Sequence, residues 1–97
     1  MANICNNELH AYSEDPANKM TIESFFTNKF PGSEILKSED TIEVFFESKW
    51  VFPEKEMNEL YESLPNKSDI DISCLSTEWG DYYTAFHVCN EDGWSLI

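Results

Sequence analysis

Nineteen acidic side chains against six lysines and no arginine are the chemically active material of this 97-residue chain, whose formal charge is −13. Carboxylates repeat at strand spacing, as Glu43-x-x-x-Glu47 and Asp69-x-Asp71, and at helix spacing, as Glu56, Glu59 and Glu62. Such arrays attract cations and basic surfaces and repel nucleic acid and anionic membranes. With so many acids, a carboxylate pair suited to acid–base work arises by chance, so the count gives no sign of catalysis. The soft ligands are Cys5, Cys74, Cys89, His10 and His87. Only His87-x-Cys89 approaches the short paired spacing of a zinc site, and no CxxC is present. Neither Asp69-x-Asp71 nor Asn90-Glu91-Asp92-Gly93 completes a calcium loop. No sequence-local nucleophile and base occur together, so a non-enzymatic protein without metal or cofactor is expected. A third group is aromatic: Trp50, Phe52, Trp79, Tyr82, Tyr83 and Trp94. Trp79 and Tyr82 flank a turn and suit a partner-binding hot spot.

The elements that must carry these groups follow from periodicity. Ile4 to Ser13 alternates as a first strand, with Cys5, Leu9 and Ala11 on one face and Glu8, His10 and Tyr12 on the other. Asp15 is suited to cap a helix with Pro16 at its first position, and Thr21 is a second candidate cap. Ile22, Phe25, Phe26 and Phe30 share one helical face, and Phe30-Pro31-Gly32 ends that helix. Ser33–Lys37 is a short strand candidate joined by a turn to Thr41–Lys49. Ile42, Val44 and Phe46 of that second strand point inward, and Glu43, Phe45 and Glu47 point outward. Pro53 opens a second helix with Met57, Leu60, Tyr61 and Leu64 as its apolar stripe and Glu54, Glu56, Glu59 and Glu62 outside. Lys55 is placed to pair with Glu59 at i+4. Asp69 to Thr77 alternates again, Gly80-Asp81 is a turn, Tyr82–Cys89 is a strand, and Trp94–Ile97 follows a last turn. Trp50, Val51 and Phe52 cannot all point inward on a regular strand, so at least one aromatic at this junction is expected outside.

The order β-α-β-β-α-β plus a C-terminal strand predicts an α+β chain, a single ferredoxin-like (split βαβ) domain over residues 1–97. Both helices would cover one face of an antiparallel sheet. The face left open would present Glu8, Glu43, Glu47, Asp69 and Asp71 as an acidic lattice with Tyr12, Phe45 and Leu75 interleaved. The outer surface of the second helix, through Glu56, Glu59 and Glu62, is the competing acidic surface.

Asn3-x-Cys5-x-Asn7-x-Leu9, Phe46-x-Ser48-x-Trp50 leading to Pro53, and Glu78-Trp79-Gly80 running to Ala85-Phe86 resemble the YubB-type ferredoxin-like proteins of plasmids and phages. The resemblance covers most of the chain. It implies the fold and an origin on a mobile genetic element, and brings no established biochemical function with it.

Taken together these features point to an acidic protein-binding module. Its expected partner is a basic nucleic-acid-handling protein of the host, of nuclease or CRISPR-effector type, inhibited by mimicry of DNA in counter-defence (anti-CRISPR or anti-restriction). The alternative is a homo-oligomeric structural or accessory protein, a homodimer in its simplest form, whose acidity serves solubility. Three cysteines, no basic-plus-apolar leader and no long apolar run lead to a cytoplasmic expectation, without membrane or direct nucleic-acid contact.

Overall fold

The computed structural model of the protein describes residues 3–80 and 82–97; Asp81 of the expected Gly80-Asp81 turn lies outside them, as do Met1 and Ala2. The chain is α+β, and its described residues form one six-stranded antiparallel sheet and two helices. Strand β1 is Ile4–Tyr12, helix α1 is Pro16–Lys29, β2 is Glu34–Lys37 and β3 is Thr41–Lys49. Helix α2 is Glu54–Ser63, β4 is Asp71–Glu78, β5 is Tyr83–Asn90 and β6 is Gly93–Leu96. The sheet order is β2-β3-β1-β4-β5-β6, which places β1 between β3 and β4. The element order departs from expectation at its end. A hairpin of two strands, β5 and β6, follows β4 where one C-terminal strand was expected, and Gly93 turns it with a left-handed φ of 94°.

Alternation decides which sheet face is dry. Leu9 and Ala11 of β1 share a buried face with Ile42, Val44 and Phe46 of β3, Ile72 and Cys74 of β4 and Cys89 of β5. Ile22 and Phe26 of α1 and Met57 and Leu60 of α2 join the same cluster, so both helices cover this face and leave the other open. Helix α1 begins where local chemistry demands: Asp15 accepts the Ala17 amide at 2.9 Å and Pro16 follows the cap. Thr21 lies inside the helix and caps nothing. Phe26, Phe30 and Phe46 pack with ring centroids 4.7–5.7 Å apart under its C-terminal end.

Two buried asparagines tie the layers together. Asn7 of β1 donates to Ser48 Oγ (2.9 Å) and accepts from Ser76 Oγ (2.7 Å), which fastens β3 and β4 to the central strand. Asn18 of α1, fully buried, donates to Ser13 Oγ, Asn66 O and Asp69 O and accepts from the Asn66 amide. That network binds the start of α1 to the loop between α2 and β4. Among the described residues, no helix is long and apolar enough to cross a membrane.

Candidate functional site

Strand register sets out the open face as rows. One row runs Glu34, Phe45, Glu8, Leu75, Phe86 from β2 to β5, and the next runs Leu36, Glu43, His10, Ser73, Val88, Ser95 from β2 to β6. A third holds Glu47, Asn6, Thr77 and Thr84, and a fourth holds Thr41, Tyr12 and Asp71. Neighbours across a row are about 4.8 Å apart and successive rows about 6.6 Å. The expected residues Glu8, Glu43, Glu47 and Asp71 are therefore brought onto one rigid surface. Glu34 joins them from β2; it was missed because the side on which a four-residue strand faces depends on its pairing.

The acidic lattice does not cover the whole face. Glu8, Glu34, Glu43 and Glu47 belong to β1, β2 and β3, and Asp71 sits at the start of β4. The rest of the open face on β4, β5 and β6 is uncharged: Ser73, Leu75, Thr77, Thr84, Phe86, Val88 and Ser95. Asp69 is not part of the lattice. It precedes β4 in the loop, where its backbone carbonyl accepts from Ser13 and Asn18 and its carboxylate lies 3.4 Å from Ser13 Oγ. The alternation that placed it on the strand begins two residues later.

One lysine shares this surface: Lys49, the last residue of β3, follows Glu47 by alternation and leaves the carboxylates in excess. Lys29 pairs with Glu59 at 3.1 Å and Lys37 with Glu23 at 3.0 Å, both on the helix side. Glu59 thus takes its cation from α1 and not from Lys55 of its own helix, which corrects the i+4 expectation. On the open face Glu43 lies 3.7 Å from His10 Nδ1, while Glu8, Glu34, Glu47 and Asp71 are exposed. The local negative field is visible at Tyr12, whose phenol is held above its ordinary range, first of all by Glu14. On α2, Glu62 and Glu54 are exposed and Glu56 and Glu59 half-buried, so this second acidic surface is narrower and partly ion-paired.

Aromatic groups gather at one end of the sheet. The end of β3, the end of β4 and the starts of β1 and β5 meet there by register. Trp79 is 74% exposed and Tyr82 88%, with Trp50, Val51 and Ile4 also on the surface. Phe52 turns inward at 5% exposure, so Trp50 is the outward member of that pair. Trp50 and Tyr82 hold left-handed backbones, with φ of 69° and 55°. Such a conformation costs a non-glycine residue about 1–2 kcal/mol. A groove of about 910 Å³ joins the aromatic end to the acids, lined by Asn6, Glu8, Phe45, Glu47, Leu75 and Trp79. A second depression of about 470 Å³, toward the other end of the same face, is lined by His10, Tyr12, Glu43, Asp71 and Val88 among others.

The three cysteines lie in the interior, whereas His10 is exposed on the open face. Cys5, Cys74 and Cys89 are buried free thiols. Burial pushes Cys74 and Cys89 up to about 12 and raises Cys5, so all three stay protonated at neutral pH and are poor nucleophiles. His87 faces Cys74 across β4 and β5 and stacks on Phe52 with centroids 3.7 Å apart and planes 10° apart. Desolvation lowers its pKa, partly opposed by Glu54. Among the described residues, no group of three or more His, Cys, Asp or Glu side chains is arranged to hold a metal ion.

No family model, curated protein or solved structure matches the chain.

Proposed function

We propose that the chain is a non-enzymatic, acidic docking module that uses its open sheet face to bind a basic, nucleic-acid-handling protein of the host. The observation that carries this reading is the meeting of two features on one surface: the carboxylates of β1–β3, and the exposed aromatic end with Trp79 and Tyr82. Carboxylates steer a cationic partner in and set its register. Flat, exposed aromatic rings supply contact area at low entropic cost and stack on arginine guanidinium groups. Two left-handed aromatic residues in a 97-residue chain support the same reading, because backbone strain persists where the surface is used.

A surface of this sign on a rigid sheet competes for grooves that evolved to hold phosphates. The module is thus a nucleic-acid mimic, and inhibition of a nuclease or CRISPR effector is its expected consequence. The strand order β2-β3-β1-β4 under two helices is consistent with the ferredoxin-like arrangement, extended here by β5 and β6. With the resemblance of Asn3–Leu9 and Phe46–Trp50 to the YubB-type proteins, a phage or plasmid origin and a cytoplasmic site of action in the host complete the proposal.

The test is capture from bacterial lysate at low salt, followed by competition with duplex DNA. Nucleic-acid-binding proteins should be enriched, DNA should displace them, and capture should fall about tenfold or more as salt is raised. Captured proteins that DNA does not displace would exclude mimicry.

A further inference from the structure

We infer that the free edge of β6 is a self-association site at which two copies of the chain join their sheets into one. The two edges of the sheet are built differently. Both edge strands are four residues long, but β2 carries Glu34 and Lys37, with Glu39 and Asp40 two and three residues past its end. Charges of this kind guard an edge against pairing. Edge strand β6 carries no charge, and β5 beside it, Tyr83–Asn90, carries no Asp, Glu or Lys. On a chain of −13 this hairpin is the neutral exception, interrupted only by Glu91 and Asp92 at its turn.

The edge is chemically ready for a strand. The Ile97 amide donates to Phe86 O at 2.9 Å, toward β5. By strand alternation the N–H and C=O groups of Leu96 and Trp94 point away from β5. A two-fold axis through Ser95 would pair Trp94 of one copy with Leu96 of the second, and Leu96 with Trp94, so the edge is self-complementary. Leu96, 66% exposed, would then lie across from a tryptophan. The antiparallel pairing sends the two Glu91-Asp92 turns to opposite ends of the seam.

Charge selects a second copy at this edge and no other. From β1 of one copy to β1 of the other is seven strand spacings, roughly 34 Å at about 4.8 Å each. That is several times the screening length of about 8 Å at physiological salt, so the acidic halves do not oppose the seam. Pairing by the β2 edges or stacking of the open faces would bring Glu34, Glu43 and Glu8 together instead. The dimer presents an acidic groove at each end and leaves both proposed docking surfaces free.

An edge pairing buries less than the roughly 1,200 Å² of a stable interface, so association is weak and is read at up to about 1 mM chain. The experiment is sedimentation equilibrium of the whole chain at rising concentration, in low and high salt. The expected mass moves from 11.3 kDa toward twice that value, and further at high salt. Docking to a basic partner has the opposite salt dependence, so the failure of either proposal leaves the other readable. Leu96→Pro removes an amide that no internal bond uses, and should hold the chain monomeric with an unchanged melting temperature. Leu96→Glu, which needs no backbone change, should do the same, while Glu34→Lys should not. A monomer at about 1 mM in high salt would overturn the inference. So would dimers of both Leu96 variants at wild-type strength, or a dimer abolished by Phe86→Lys on the open face and not by the edge changes.

Discussion

Replacement of Asn18 by alanine should be among the most damaging changes a surface-like residue of this chain can undergo. Asn sits in the first turn of α1, where a polar side chain ordinarily faces water, yet it is fully buried. Its side chain makes hydrogen bonds of 3.1, 2.8 and 2.9 Å as donor and 3.0 Å as acceptor. After truncation, Asp69 O keeps Ser13 Oγ at 2.8 Å and Asn66 O keeps the Asp69 amide at 3.3 Å. The Asn66 amide keeps no partner among the described residues. An orphaned donor costs about 1–3 kcal/mol, and each shared bond lost adds about 0.5–1 kcal/mol. Alanine returns at most about 0.7 kcal/mol of helix propensity. The net is about 3 kcal/mol, or a fall in Tm of roughly 12–24 °C at about 4–8 °C per kcal/mol. Calorimetry of Asn18→Ala beside Asn28→Ala, an exposed position on the same helix, provides the comparison. Asn18→Asp sharpens it by setting a carboxylate against two carbonyls. Its folded pKa must rise, so its deficit relative to wild type should grow as pH rises through about 3.9. Equal Tm values for the two alanine variants would refute the reasoning.

Other outcomes follow from the same structure. His87 has a lowered pKa, so the folded chain binds fewer protons than the unfolded one near pH 6.5, and stability should fall as pH drops through that value. His87→Phe, which keeps the stack on Phe52, should remove that part of the slope in urea midpoints measured from pH 7.5 to 5.5. Tyr82→Gly should leave Tm unchanged or higher, because the left-handed backbone is relaxed, and should weaken capture of a basic partner. Asn7→Ala and Ser76→Ala share the 2.7 Å bond, so a double-mutant cycle should show coupling of about 0.5–3 kcal/mol; strictly additive losses would contradict the network.

Much of the fold was legible because local chemistry and tertiary structure agree. The Asp15–Pro16 cap, the alternation of Ile42, Val44 and Phe46, and the stripe Met57–Leu60–Leu64 are each decided within a few residues and are kept by the core. The features that escaped depend on partners distant in sequence. Asn18 reads as a surface residue until the α2–β4 loop closes over it. Lys29 meets Glu59 only because α1 and α2 share a sheet face, whereas i+4 spacing pointed to Lys55. Asp69 fits a strand pattern but is held in the preceding loop by Ser13 and Asn18. The open face was expected as an acidic lattice with Tyr12, Phe45 and Leu75 interleaved; its uncharged half extends onto β5 and β6, whose places in the sheet local alternation does not decide. Strand order gathers Glu8, Glu34, Glu43 and Glu47 on one half and leaves Phe86 and Val88 on the other. The uncharged run from Tyr83 to Asn90 was visible in the sequence, and its meaning appeared only once β5 was seen beside an unguarded β6.

On the proposed function, the open face, rather than the α2 surface, docks a basic partner. The most direct measurement compares the affinity of a captured partner for two triple variants, Glu8→Lys/Glu43→Lys/Glu47→Lys and Glu56→Lys/Glu59→Lys/Glu62→Lys. Each changes the charge by the same amount, so a diffuse electrostatic effect weakens both alike. The open-face variant should lose at least about a hundredfold in affinity and the helix variant less than about tenfold at equal salt. Equal losses, or a greater loss from the helix variant, would contradict that reading.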